Sequence, residues 1–248
     1  MNHFISALQF LTILKIKEDT EEKYLPSSLI FFPFVGFIIG LFSSIFNKCF
    51  SCFLNPLISD ILTVLFIIFL TGGIHIDGVA DTFDGIFGGK NKEEILKIMR
   101  DKNTGTFGII SVIFVILLKI FLINLLPGNI KFNGIIVTPL FGRFMMVFSI
   151  YFFNYARETG KGKIFFEGIN TKIFILSTFL FTILVSFFFS YILILFLLPL
   201  IIFTFFLNKY LLTKKIGGLT GDTLGAINEL NEILLLFLIS NGKIKSWW

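Results

Sequence analysis

The sequence predicts an all-α polytopic integral membrane protein. About seven transmembrane helices are expected, within a range of six to eight, with the N-terminus in the cytoplasm. Three observations predict this. The first is hydropathy: of 248 residues, 55% are hydrophobic, only 15% are charged, and 36 are Phe. Soluble domains carry about 25% charged residues. A soluble fold of this size does not hide so much apolar surface, so the natural solvent is a bilayer. The second is that the apolar sequence is cut by polar links into pieces of span length. The third is the placement of basic residues, taken up below.

In chain order, residues 1–17 are apolar with a basic end and are short for a span. They read as an interfacial amphipathic helix. No cleavable signal peptide is expected, because a basic leader and a small-residue cleavage site are both lacking. After a polar link, spans are expected at Leu29–Phe46 and Pro56–Thr71. The second runs into an Asp-rich segment, 72–105. Further spans follow at Thr106–Leu126, ended by Pro127 and Gly128, and at Gly134–Phe153. Residues 173–207 are almost unbroken apolar sequence. As one helix they would be about 52 Å long, against a hydrocarbon core of about 30 Å. Two antiparallel spans with a turn near Ser190 are therefore expected. A second acidic segment, 208–232, leads into the last span, Thr223–Ile239. The whole chain, 1–248, reads as one membrane-embedded domain.

The positive-inside rule tests this layout. With the N-terminus inside, fifteen Lys and Arg fall in cytoplasmic segments. Only Lys48, Lys131, Lys243 and Lys245 fall outside, and Lys119 and Arg143 lie within spans. Every acidic residue except Asp60 then sits toward the cytoplasmic side. The expected location is the cell (inner) membrane, with the chemistry facing the cytoplasm.

The chemistry centres on GGIHIDGVADTFDGIFGG, Gly72–Gly89. As a helix, Asp77, Asp81 and Asp84 share one face within an arc of roughly 60°. Three anions on one face repel, and hard cations such as Mg²⁺ prefer carboxylate oxygen. An ordinary solvated acidic face carries interspersed Lys or Arg; this stretch has none. A second cluster, GGLTGDTLGAINELNE, holds Asp222, Glu229 and Glu232. A helix dipole explains an acid at Asp222 but not acids two turns further in. Both stretches follow the pattern Gly-Gly, Asp four residues later, acid seven later, which would set two acidic helices across one site.

Arg143, near the middle of a span, is costly unless paired; it suits an acid or a substrate phosphate. Lys119 lies nearer a span end and is expected to snorkel. Arg100 and Arg157 lie at cytoplasmic span ends, where Arg can grip phosphate in a bidentate way. His75 can reach the site only through the Gly-rich turn. Cys49 and Cys52 form a C-x-x-C that lacks the partners of a zinc or redox site. Carboxylates for Mg²⁺, arginines for phosphate and glycines for close approach suggest phosphoryl chemistry at a membrane surface.

These residues resemble a known family. GGIHIDGVADTFDGIFGG looks like the signature of cobalamin synthase, the adenosylcobinamide-GDP ribazoletransferases. IMRDKNTGTFG, PLFGRFMMVFSIYFFNYAR and GGLTGDTLGAINELNE agree in order, and ALQFLTIL resembles the family's opening. The resemblance implies an Mg²⁺-dependent membrane enzyme late in vitamin B12 assembly. It implies transfer of a cobinamide-phosphate group from adenosylcobinamide-GDP to α-ribazole or its 5′-phosphate, with release of GMP. The implied catalytic set is Asp77, Asp81, Asp84 and Asp222, with Asp77, Asp81 and Asp84 on the metal. His75, Arg100, Arg143, Arg157, Glu229 and Glu232 are the expected substrate-binding residues. Expected partners are the two substrates and the lipid bilayer, with no nucleic acid; a homo-oligomer is compatible. Two other readings stay open. One is another Mg²⁺-dependent transferase acting on a diphosphate, of the CDP-alcohol phosphotransferase or prenyltransferase type. The other is an ion-coupled transporter.

Overall fold

The computed structural model describes residues 2–16, 21–188 and 191–241, the side chains of 191–196 excepted. It contains no strand among these residues. Helix α1 is Asn2–Leu11. Helix α2, Glu22–Ser51, is a continuous run of helical turns. Helices α3 (Pro56–Leu70), α4 (Ile74–Gly88) and α5 (Lys92–Ile98) follow. Then come α6 (Thr106–Leu125), α7 (Gly128–Phe152), α8 (Lys163–Gly168) and α9 (Thr171–Ser186). Helix α10 begins at Tyr191–Leu207 and continues through a π-helical turn, Asn208–Thr213, to Ile216. Helix α11 is Gly221–Ser240.

Each expected span has its helix. Five helices are long and apolar enough to cross a membrane, namely α2, α6, α7, Leu197–Ile216 of α10, and α11. Helices α3 and α4 meet that test only together and are bent 88° apart. Helix α9 is a shorter apolar helix. One helix stops at Ser186 and the next starts at Tyr191, as the length argument required. Ser190 itself lies outside the described residues, as does Lys17 at the end of the expected interfacial segment.

Helix α7 is the central post, buried along most of its length. Gly36 and Gly40 of α2, a Gly-x-x-x-Gly pair, sit directly on the α7 backbone at Pro139 and Ile136. Small residues at this spacing let membrane helices approach closely, where packing rather than the hydrophobic effect joins them. Helix α11 packs against α7, α6 and α4. There Gly78 of α4 and Gly225 of α11 touch backbone to backbone. Helix α1 folds in beside α2, burying Ala7 and Leu11 completely. The Ile13 amide donates to Leu70 O at 2.9 Å and ties the segment after α1 to the end of α3. The α3–α4 turn, α5, the loop after α7 and the loop before α11 gather at one end of the bundle. That end carries the site.

Candidate active site

Gly72 and Gly73 have φ of 62° and 72°, left-handed backbone that glycine adopts at little cost. Two such residues in succession turn the chain sharply, so α4 runs across the end of the bundle instead of continuing α3. Helix α11 starts with a reciprocal cap. Thr220 Oγ1 accepts from the Thr223 amide at 3.2 Å, and Thr223 Oγ1 accepts from the Thr220 amide at 2.7 Å. This cap fixes where Asp222, in the first turn, points.

Asp77 and Asp81 of α4 and Asp222 of α11 form one carboxylate cluster. Burial first, then the charges of Asp222 and Asp77, raises Asp81 from the usual carboxylate range to about 7. Arg157 opposes them, with Nη2 2.7 Å from Asp222 Oδ2. One guanidinium does not balance three carboxylates, so the cluster keeps net negative charge. Arg157 is delivered by a clasped loop. The Ala156 amide donates to Leu219 O at 2.8 Å, and the Leu219 amide donates to Asn154 O at 2.9 Å. Asp77, Asp222, Arg157, His75 and Tyr155 share a cavity of about 290 Å³. Asp77 also borders a wider cavity of about 890 Å³ between α1, α4 and α6. It is the one carboxylate at both.

His75, in the first turn of α4, is 3% exposed, and its Nε2 has no partner among the described residues. Burial, then the Arg143 and Lys119 charges, pushes its imidazole well below the ordinary value. Arg100 is exposed at the rim, where its Nη2 donates to Thr159 O at 3.5 Å.

The other expected site residues lie elsewhere. Asp84 shares the helix face of Asp77 and Asp81, but its carboxylate is committed to α6. Oδ2 accepts from the Gly105 amide at 2.6 Å and Oδ1 from the Gly108 amide at 2.7 Å. A carboxylate at a helix N-terminus satisfies amides that have no partner within the helix and meets the positive end of the dipole. Glycine is needed at 105 because a Cβ there would lie 2.7 Å from Asp84 Oδ1. Among the described residues no three His, Cys, Asp or Glu groups stand ready to hold a metal ion. The triad Asp77, Asp81 and Asp84 is therefore divided between two tasks in this structure.

Glu229 and Glu232 lie about 12 and 16 Å along α11 from its start, at 1.5 Å per residue, and are 3% and 1% exposed. Lys119 of α6 bonds to both, at 2.7 Å to Glu232 Oε2. Arg143 of α7 pairs with Glu232, and Asn228 Nδ2 donates to Glu232 Oε1 at 2.9 Å. Two cations meet two anions. Lys119 does not snorkel; it is 2% exposed, because its partners come from α11. Of the two options for Arg143, an acid or a phosphate, the geometry shows the acid. Tyr155 and Lys161, both on the cavity wall, and the aromatic residues behind them were not singled out in the sequence. Tyr155 stood inside the NYAR string; Lys161 gave no signal beyond its charge.

The model of the family described as cobalamin-5-phosphate synthase matches residues 3–240. An adenosylcobinamide-GDP ribazoletransferase of Alkaliphilus metalliredigens is 41% identical, covering 96% of this chain and 95% of its own. Proteins of the same name from Thermoanaerobacter sp. and Clostridioides difficile are 36% and 34% identical. They cover 95% and 96% of this chain, and 96% and 97% of their own. No solved structure matches. With every helix that builds the carboxylate cluster inside the matched range, the chain belongs to the cobalamin-5-phosphate synthase family.

Proposed function

We propose that the chain is an adenosylcobinamide-GDP ribazoletransferase. In this reading it moves the cobinamide-phosphate group to the ribose 3′-hydroxyl of α-ribazole or its 5′-phosphate. The observation that carries it is the whole-length family match, joined to an unbalanced carboxylate cluster at a cavity. The hydroxyl oxygen bonds to the phosphorus next to cobinamide, the bridging P–O bond breaks, and GMP leaves with the electron pair.

The donor set fits Mg²⁺. It is all carboxylate oxygen, and burial together with the charges of Asp222 and Asp77 raises Asp81 to about 7. Asp77 and Asp81, one turn apart on α4, would hold the ion, which supplies charge neutralisation on the diphosphate and the leaving GMP. Asp222, facing them from α11, takes the proton of the attacking hydroxyl. Arg157, now on Asp222, turns to a phosphate when substrate enters, and Arg100 waits at the rim. Asp84 keeps α4 docked on α6, and the Lys119–Glu229–Glu232–Arg143 set holds α11 against α6 and α7. The bias of basic residues supports a cytoplasmic site, where both polar substrates would be met.

The test is GMP release by purified protein in lipid nanodiscs, with and without Mg²⁺. Asp81→Asn is expected to lower turnover about a thousandfold, the several kcal/mol that a positioned metal supplies. Near wild-type turnover with normal Mg²⁺ dependence in that variant would contradict the metal assignment.

A further inference from the structure

We propose that a further cavity, of about 360 Å³ between α4, α10 and α11, is a binding site for an anionic phospholipid. One acyl chain would fill the cavity, and the phosphate would sit on Lys92, Lys214 and Lys215. Three features carry this.

The first is the lining. Every side chain on the wall is apolar except Thr82 and Asn208, whose Oγ1 and Oδ1 atoms are buried. Sites for small polar ligands present a few convergent polar groups, and no charged side chain lines this one. Phe87, Phe203 and Leu211, all on the wall, are exposed. Phe203 and Leu211 belong to Leu197–Ile216, a helix long and apolar enough to cross a membrane, so the cavity opens sideways to lipid. Along α11 it runs from Ala226 to Leu234, about 12 Å at 1.5 Å per residue. That is close to one leaflet of a hydrocarbon core about 30 Å thick. A hydrocarbon chain fits both the walls and the depth.

The second is how the wall is built. Helix α10 leaves α-helical geometry over Asn208–Thr213, and this π-helical turn puts Asn208, Leu211 and Leu212 on the cavity wall. Such turns are rare and recur at functional sites. Asn208 is fully buried, and its Nδ2 donates to Ser149 Oγ of α7 at 3.0 Å, which pins the turn to the central post.

The third is the charge at one end. Lys215, near the end of α10, donates from Nζ to Ile86 O at 3.1 Å, and Ile86 is on the cavity wall. Lys92 of α5 reaches the same end of α10; its Nζ lies 3.2 Å from where a Cβ would stand on Gly217. Lys92, Lys214 and Lys215 are exposed, and none has an ion pair among the described residues. An ammonium has three donors, so the bond to Ile86 O leaves Lys215 two. Basic residues between membrane helices bind anionic headgroups. A phospholipid joins the chain that the walls fit to the charge that the lysines lack. Thr82 follows Asp81 on α4, and Ala226 lies one turn after Asp222 on α11. A lipid here would brace the two helices that carry the carboxylates.

The experiment is native mass spectrometry of the full chain, released from mixed micelles holding equal phosphatidylglycerol and phosphatidylcholine. Wild type is expected to retain phosphatidylglycerol about tenfold or more over phosphatidylcholine, the size of one or two lysines at an anionic headgroup. Lys214→Gln with Lys215→Gln, at exposed positions, is expected to bring the two lipids close to even. Leu211→Trp, at an exposed position, blocks the cavity and is expected to remove the retained lipid of either kind; Leu230→Trp repeats the block from α11. Wild type is expected to melt higher in phosphatidylglycerol than in phosphatidylcholine, because a ligand of the folded state stabilises it. Equal retention of the two lipids by wild type would overturn the proposal, as would an undiminished preference in the lysine variant. Selective retention that survives both tryptophan variants would mean attraction to a charged surface without a chain site. Release of the lipid by soluble glycerol 3-phosphate would mean a phosphate site alone, and either result overturns the proposal.

Discussion

Helix α11 carries two sets of acids that look alike in sequence and differ in surroundings. Glu229 and Glu232 are sealed among Lys119 and Arg143, two charges against two. Asp222, at the start of the same helix, joins Asp77 and Asp81, and among the described residues only Arg157 pairs with any of the three. The first set is closed, and each glutamate has its cation. The second is open to a cavity and short of positive charge. An acid marks a reactive site when its neighbours leave it unbalanced and reachable, not merely because it lies in an apolar chain.

The sharpest way to break this contrast is inside the closed set. Glu232→Ala leaves Arg143 unpaired in the bundle, and removing one partner of a buried pair costs about 3–5 kcal/mol. Thermal unfolding in micelles should show a large loss of stability. If stability stays near wild type, the network is not what holds α11.

Asp84 is the next test, because it shares the face of Asp77 and Asp81 yet bonds to backbone. Asp84→Ala orphans the Gly105 and Gly108 amides and should cost about 2–3 kcal/mol. Hydrogen exchange should speed up at the start of α6, while Mg²⁺ affinity stays intact. Lost Mg²⁺ binding with an unchanged α6 would return Asp84 to the metal set.

Thr220→Ala removes half of the reciprocal cap on α11 and should cost about 1 kcal/mol. Its sharper readout is turnover, which falls if the cap aims Asp222.

The smallest effect is a pH slope. Asp81 sits at about 7 when folded, above its unfolded carboxylate value. Across the window between those values the metal-free folded state holds the extra proton, so its stability falls as pH rises toward about 7 and then levels. Asp81→Asn should remove that part of the slope, and Mg²⁺ should reverse it. Asp81 is partly exposed, so solvent screening keeps the effect modest. Identical slopes in wild type and variant would deny that Asp81 is strained.

Much of this was legible in the sequence. Apolar runs and polar links placed the helices, and the i, i+4 spacing put Asp77 and Asp81 on one face. The shared spacing of Gly-Gly and acids suggested two helices across one site, and α4 and α11 do meet, at Gly78 and Gly225, two glycines outside that pattern. What stayed hidden depended on packing between distant segments. A helical wheel gives Asp84 its face but not its partners, two amides over twenty residues away at the start of another helix. Lys119 looked free to snorkel because its two glutamates are more than a hundred residues further on. The same distance hid the fact that Glu229 and Glu232 are already matched. Tyr155 and Lys161 became visible only when the loop after α7 was clasped to Leu219.

The most direct measurement is Mg²⁺ binding to metal-free protein by calorimetry, at a pH above the Asp81 value of about 7. Wild type and Glu229→Gln should bind the ion alike, and Asp81→Asn should bind it at least about tenfold more weakly, since it loses a charged ligand. Equal affinity in Asp81→Asn, or loss of binding in a folded Glu229→Gln protein, would contradict the assignment of the open cluster as the metal-holding site.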